Sequence, residues 1–280
     1  MNKYRVARQA KRMVHLLVVS ALAVAFLLPL FWMVRSSLMS SAEIFIVPPI
    51  WFPESLRFSN YTKALSTVPF NQYFMNTMRI VVFNVLGAVV SSSVCAFSFA
   101  RLRWKGRDLI FGLLISSMML PGAVTLIPTF LAWRSIVPPN SYTPLILPAW
   151  FGGGAFNIFL LRQFMRGIPL SLDEAALVDG ASYPRIFAQI VFPLSKSAVI
   201  VVALFQFMGV WNDFLGPLVY VNRERYFTLA LGLQMFIGYY TAQWELLMAA
   251  ATVILVPPMI LFLIGQKYFI QGIAITGMKG

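Results

Sequence analysis

Side chains able to do chemistry are few in this sequence and lie far apart. The one histidine, His15, opens an uncharged run beside a basic N-terminal stretch, and the one cysteine, Cys95, sits inside an apolar run. Nine acidic residues are scattered over 280 positions. Metal ligation, acid–base catalysis and nucleophilic catalysis need such groups clustered or at defined spacing, and none of those arrangements occurs. The P-loop pattern of Gly, four residues and Gly-Lys-Ser/Thr is also missing. No catalytic residue, metal site or cofactor is therefore expected on this chain, and any ATP must be bound elsewhere. Two constellations remain. The triplet Trp211-Asn212-Asp213 puts a carboxylate into an apolar run, and Ser171, Glu174, Ala175, Ala176, Asp179 and Gly180 have the spacing of a helix start, body and stop.

The elements that must position these residues follow from composition. The chain is 59% apolar and 11% charged, against roughly 45–50% and about 25% in soluble domains. Uncharged runs long enough to span a bilayer fall at 15–34, 80–100, 109–133, 144–161, 197–220 (interrupted by Asp213) and 246–266. The expected fold is all-α, a polytopic membrane protein of six transmembrane helices. Pro121, Pro128, Pro148, the Gly152-Gly153-Gly154 triplet, Pro217 and the Pro257-Pro258 pair fall in or beside these runs, which predicts irregular helices in a packed bundle. The second run holds Gly87, Ala88, Ser91, Ser92, Ser93 and Ala96, small residues that allow close helix approach, so this helix is expected at the centre. Asn76, Asn84 and Asn157 are read as bridges between helices. No internal repeat is recognisable.

The formal charge of +13 is dispersed between apolar runs rather than gathered on one face, so nucleic acid is not the expected partner. It reads as topology. With the N-terminus inside, one side carries 15 Lys and Arg and the other 7, out of 22, so both termini are expected in the cytoplasm. Ser40-Ser41-Ala42 resembles a leader cleavage site, but the 20 uncharged residues before it exceed the 7–15 of a signal-peptide core, so the first span is retained. The domain organisation is then a basic N-terminus at 1–14, a first span at 15–34, an external loop at 35–72, a core domain at 73–266 with a cytoplasmic loop at 162–196, and a tail at 267–280. The external segment is rich in turn residues and aromatics, a place for a partner to dock or a cap on the bundle.

The loop at 162–196 reads as helix, turn, helix. Ser171 stands three residues before Glu174, a capping-box spacing that satisfies the first amides of a helix. Ala175, Ala176, Leu177 and Val178 continue it, Gly180 permits the turn that ends it, and Pro184 is tolerated in the first turn of the next helix. The spacing Glu174-Ala175-Ala176, three residues, Gly180, nine residues, Ile190, one residue, Phe192, Pro193 resembles the EAA loop of permease subunits of ATP-binding-cassette importers. Phe192 replaces the usual Leu. Likeness extends to the Pro-rich segment 48–61 with Asn60-Tyr61, to Met119-Leu120-Pro121 and Ile127-Pro128, to Trp211-Asn212-Asp213-Phe214, and to the tail at 272–280. Together these are similar to the second, maltose-type permease subunit of carbohydrate importers.

That resemblance implies a type I importer permease in the cytoplasmic membrane of a bacterium or archaeon. Its partners would be a second homologous permease, an ABC ATPase dimer that holds ATP and Mg, and an extracellular or periplasmic sugar-binding protein. It implies that Ser171, Glu174, Ala175, Ala176, Asp179, Gly180 and Pro193 belong to the coupling loop that docks the ATPase. Asp213 keeps two readings. A carboxylate within a span costs about 2.5–3.5 kcal/mol on insertion scales, so it faces the bundle interior. It could, with Asn212 and a Trp211 stacking face, meet sugar hydroxyls on the translocation pathway, or it could serve a structural network. The rival functions are a membrane-embedded enzyme, which the scarcity of catalytic groups disfavours, and a secondary transporter or channel working without ATP, which would show several intramembrane ionisable residues.

Overall fold

The computed structural model describes residues 2–238 and 242–277. Met278, Lys279 and Gly280 of the tail motif lie outside them. Among the described residues the chain forms helices and turns, with no β-strand. In chain order the helices are α1 (Asn2–Ser37), α2 (Ser41–Ile44), α3 (Ser59–Thr67), α4 (Phe70–Arg101), α5 (Arg107–Ser117), α6 (Gly122–Ile136), α7 (Thr143–Ile146) and α8 (Ala155–Arg166). They continue as α9 (Ser171–Val178), α10 (Tyr183–Ile186), α11 (Phe192–Leu194), α12 (Lys196–Trp211), α13 (Leu215–Tyr220), α14 (Leu229–Gly232) and α15 (Trp244–Gly277).

Four segments, Lys11–Ser37, Phe70–Arg101, Thr143–Arg166 and Trp244–Tyr268, are long and apolar enough to cross a membrane. Two bent pairs, α5 with α6 and Tyr183–Leu194 with α12, bring the number to six if each pair is one span. The run at 109–133, expected as one helix, is thus two helices bent by 101°. The cause is local. Met118, Met119 and Leu120 donate to the carbonyls three residues back, a tight turn, and Pro121 then starts α6 from an extended backbone without an N–H to continue the ladder. The run at 197–220 likewise ends its helix at Trp211 and resumes as the short α13. Between α7 and α8 the glycine triplet takes φ of 96°, 66° and 94°.

The chain divides into two compact units, Met1–Pro69 with Leu233–Leu255, and Phe70–Gly232 with Val256–Gly280. In the first unit the segment after α1 is tied by polar side chains. Asn60 is buried and donates to the carbonyls of Ser37 (2.9 Å) and Met39 (2.8 Å). Ser40 and Glu43 form a true capping box on α2, and the hydrogen bonds from Ser40 hold the Glu43 carboxyl below the usual carboxylate range. Arg35 lies over the Trp32 ring at 4.2 Å and donates to the Ile50 carbonyl.

The second unit is built on α4, which lies against α8, α12 and α7. Its small residues do what the sequence predicts: Ala88, Ser92, Ser93 and Ala96 are fully buried, and a Cβ on Gly153 would collide with the Ala88 carbonyl. Ala96, Phe97, Phe99, Ile158, Leu161, Met165, Ile186, Val191, Ala198 and Val202 form one apolar core. The asparagines act as bridges. Gln206 of α12 donates to Asn84 of α4 (2.6 Å) and accepts from Asn157 of α8 (3.0 Å), a hydrogen-bonded chain across three helices. Asn76 donates to the carbonyls of Arg225 (2.9 Å) and Phe227 (3.0 Å).

Candidate functional site

The loop between α8 and α12 starts differently from its capping-box spacing. Ser171 is the first helical residue of α9, not its cap; Leu170 stands at the cap position and has no side-chain group to cap with. The early amides are taken by backbone instead: Leu172 donates to Pro169, and Asp173 and Glu174 both donate to Leu170 (3.0 Å each). With the Glu174 amide taken by the Leu170 carbonyl, the donor that a Ser171 hydroxyl would cap is already satisfied. The other end follows the expectation. Gly180 has φ 80°, its N–H reaches the Leu177 carbonyl (3.0 Å), and the Ala181 N–H reaches Ala176 (2.9 Å), a left-handed stop that a residue with a Cβ adopts only at a cost.

Beyond it, Pro184 lies in the first turn of α10, and the chain widens to a π turn at Phe187–Val191 just before Phe192 and Pro193. Phe187 sits against Phe97 (5.2 Å between ring centres) and against Phe192 (5.6 Å). So Phe192, the position that departs from the motif, packs by its ring, and Ile186 and Val191 are fully buried. The second half of the loop is rooted in the core through Ile186 and Val191, while the first half touches it through Ala176 and Ala181.

On α9, Glu174, Ala175, Asp179 and Gly180 are exposed, with Leu177, and Val178 is 88% exposed. Its outward side thus mixes the acids Glu174 and Asp179 with small and apolar residues. Asp173 is the exception, at 7% exposure. It faces Arg101 at the end of α4, with Nε and Oδ2 3.3 Å apart, and the same arginine donates through Nη2 to the Ile168 carbonyl (3.0 Å). Neither Arg101 Nε nor Asp173 Oδ1 makes an aligned hydrogen bond. Burial outweighs the pull of Arg101 and, with the like charge of Glu174, pushes the Asp173 carboxyl above the ordinary range. Neither residue carried a role in the sequence reading, because nothing in the spacing pairs them.

The Trp211-Asn212-Asp213 triplet is split by the structure. Trp211 is 2% exposed, stacked on Phe207 (5.3 Å, 22°) and edge-on to Phe74, so it offers no open face for a ligand. Asn212 is turned out, donating to the Met208 carbonyl (2.8 Å). Asp213 alone lines a cavity of about 200 Å³, together with Thr77, Asn84 and Thr228. Its Oδ1 also accepts from the Gly216 N–H (2.9 Å), which supports the first turn of α13. Among the described residues no three His, Cys, Asp or Glu side chains come together to hold a metal ion.

An all-helical chain with several apolar spans, a polar cavity between them and an exposed short helix on a loop has the architecture of a membrane transport subunit. It belongs to the family of binding-protein-dependent transport system inner membrane components, which matches residues 84–275 and so takes in the loop, Arg101 and Asp213. Among its relatives, the sulfoquinovosyl glycerol transport system permease protein SmoH of Agrobacterium fabrum is 31% identical over 93% of this chain and 92% of that protein. The arabinooligosaccharides transport system permease protein AraQ of Bacillus subtilis is 32% identical over 92% of each. A chain in the crystal structure of a bacterial ABC transporter involved in the import of alginate has the same fold, with a TM-score of 0.81, covering 94% of this chain and 98% of that one at 23% identity.

Proposed function

We propose that this chain is one of two membrane subunits of an ATP-driven importer for a sugar or oligosaccharide. It spans the cytoplasmic membrane of a bacterium or archaeon six times, with both termini and the loop at 162–196 in the cytoplasm and the segment at 35–72 outside. A homologous second permease completes the pathway, an ABC ATPase dimer binds ATP and Mg, and an external binding protein delivers the substrate. The carbohydrate assignment draws on the relatives, whose names specify sulfoquinovosyl glycerol and arabinooligosaccharides.

The observation that carries the reading is α9: an exposed helix with Glu174, Ala175 and Ala176 on its body, stopped by left-handed Gly180 and followed by a segment rooted in the core through Ile186 and Val191. Ala175 and Val178 give a partner close access, Glu174 and Asp179 give it charge to meet, and Ser171 opens the helix. Closure of the ATPase dimer pushes this helix, and the spans switch between inward-open and outward-open arrangements. The cavity beside Asp213 lies on the pathway, where the carboxylate and Asn84 meet hydroxyl groups, while Trp211 and Asn212 hold the end of α12. The test is reconstitution. The chain, purified in mild detergent with its ATPase and second permease, drives binding-protein-dependent sugar uptake into vesicles only when ATP is hydrolysed. Uptake driven by an ion gradient without the ATPase overturns the reading in favour of a secondary transporter or channel.

A further inference from the structure

The docking helix is a poor lever by itself. It has eight residues, too few to be stable alone, and it is joined to its neighbours through the turn at 167–170 and through Gly180. A partner pushing on such a helix would bend those joints before it moved a span. One side chain bridges the gap. Arg101, the last residue of α4, has a side chain 1% exposed, grips the Ile168 carbonyl just ahead of α9, and meets Asp173 in the first turn of α9. A single guanidinium thus holds both the entry to the docking helix and its body.

We propose that Arg101 and Asp173 form a strut that makes α9 move as one body with the cytoplasmic end of α4, so that displacement of the loop reaches the central helix of the unit. This rests on reading the loop as the ATPase contact. Stability is a weak account of the pair, because two charges removed from water gain little over apolar residues of the same volume, and here even the hydrogen-bond alignment is incomplete. Geometry is a strong one. Ala176 and Ala181 touch the apolar core, but methyl groups can slide, whereas the guanidinium ties the loop by a directed hydrogen bond at Ile168 and an ion pair at Asp173. From Arg101, α4 runs without a break through the buried small-residue stripe to Asn84 at the polar cavity.

The experiment uses the full importer in vesicles and reads sugar molecules moved per ATP hydrolysed. Arg101→Gln and Asp173→Asn are expected to keep the ATPase bound and hydrolysing while this ratio falls about tenfold, a typical coupling factor; Asp173→Glu keeps most of it. Should the single variants fail to insert, a Cys95→Ser background with Arg101→Cys and Asp173→Cys removes both charges together and leaves no buried ion unpaired. In it, a bifunctional thiol reagent bridging the two positions is expected to restore the ratio. An unchanged ratio in both single variants, or a bridge that leaves transport uncoupled or blocked, overturns the strut. Absence of the ATPase from the native complex overturns the docking reading and removes the strut's purpose; bound ATPase with an unchanged ratio overturns the strut alone.

Discussion

Asp173 and Arg101 meet 3.3 Å apart although the helix that carries Asp173 is otherwise turned outward. An acid is thereby buried on the one element that the motif marks for contact with a partner. Because burial raises the Asp173 carboxyl, the folded chain binds that proton more tightly than the unfolded chain does. The contribution is therefore fully present below the ordinary carboxylate range and is lost as pH rises through the raised value. Thermal unfolding in detergent from pH 4 to pH 7 should show a shallower decline for Asp173→Asn than for the native chain. Arg101 and Glu174, the charged groups acting on Asp173, are present in both, so a parallel decline contradicts the assignment.

Gly180 is the stop of α9, and its φ of 80° is closed to proline, whose φ is fixed near −65°. Gly180→Pro should still insert and fold, since the position is exposed and an added Cβ there meets open space. Sugar uptake should fall at least about tenfold while the spans remain intact, because a loss of about 1.4 kcal/mol at the docking step already gives that factor. Uptake at the native rate would remove Gly180 from the coupling loop.

Gly153 and Gly106 separate crowding from backbone strain. Both have positive φ, but a Cβ at 153 runs into the Ala88 carbonyl while a Cβ at 106 meets open space. Gly106→Ala should cost about 1–2 kcal/mol, the conformational part alone. Gly153→Ala should cost about 1–3 kcal/mol more, since overpacking adds to it. Equal melting temperatures for the two variants would mean that α8 and α4 are not closely apposed.

Asp213→Asn keeps an oxygen for the Gly216 N–H but removes the charge from the cavity. Its melting temperature should match the native protein while uptake falls, whereas Asp213→Ala should lower both, losing a cap of about 1 kcal/mol. Native uptake by Asp213→Asn leaves Asp213 only its structural task.

The apolar runs and their breakers were legible because a bilayer sets their length and because proline and glycine have few other uses there. What the runs could not show was angle: Pro121 marks a break in the third run, but the 101° is set by the backbone turn at Met118–Leu120, which no residue type there announces. The capping signal was legible and misplaced. Ser40 and Glu43 have the same spacing as Ser171 and Glu174, yet only the first pair caps, because Pro169 and Leu170 supply the carbonyls that the second pair would have replaced. The helix of the loop and its glycine stop were readable since their residues are consecutive. Its attachment was not, because Arg101 and Asp173 are distant in sequence, and each alone resembles an ordinary charge at a membrane edge.

Contact between α9 and an ATPase is open to direct measurement. A photo-cross-linking residue placed at Val178, which is 88% exposed, should give an adduct with the ATPase subunit in assembled complexes. An assembled complex in which position 178 never cross-links to the ATPase would contradict docking at α9.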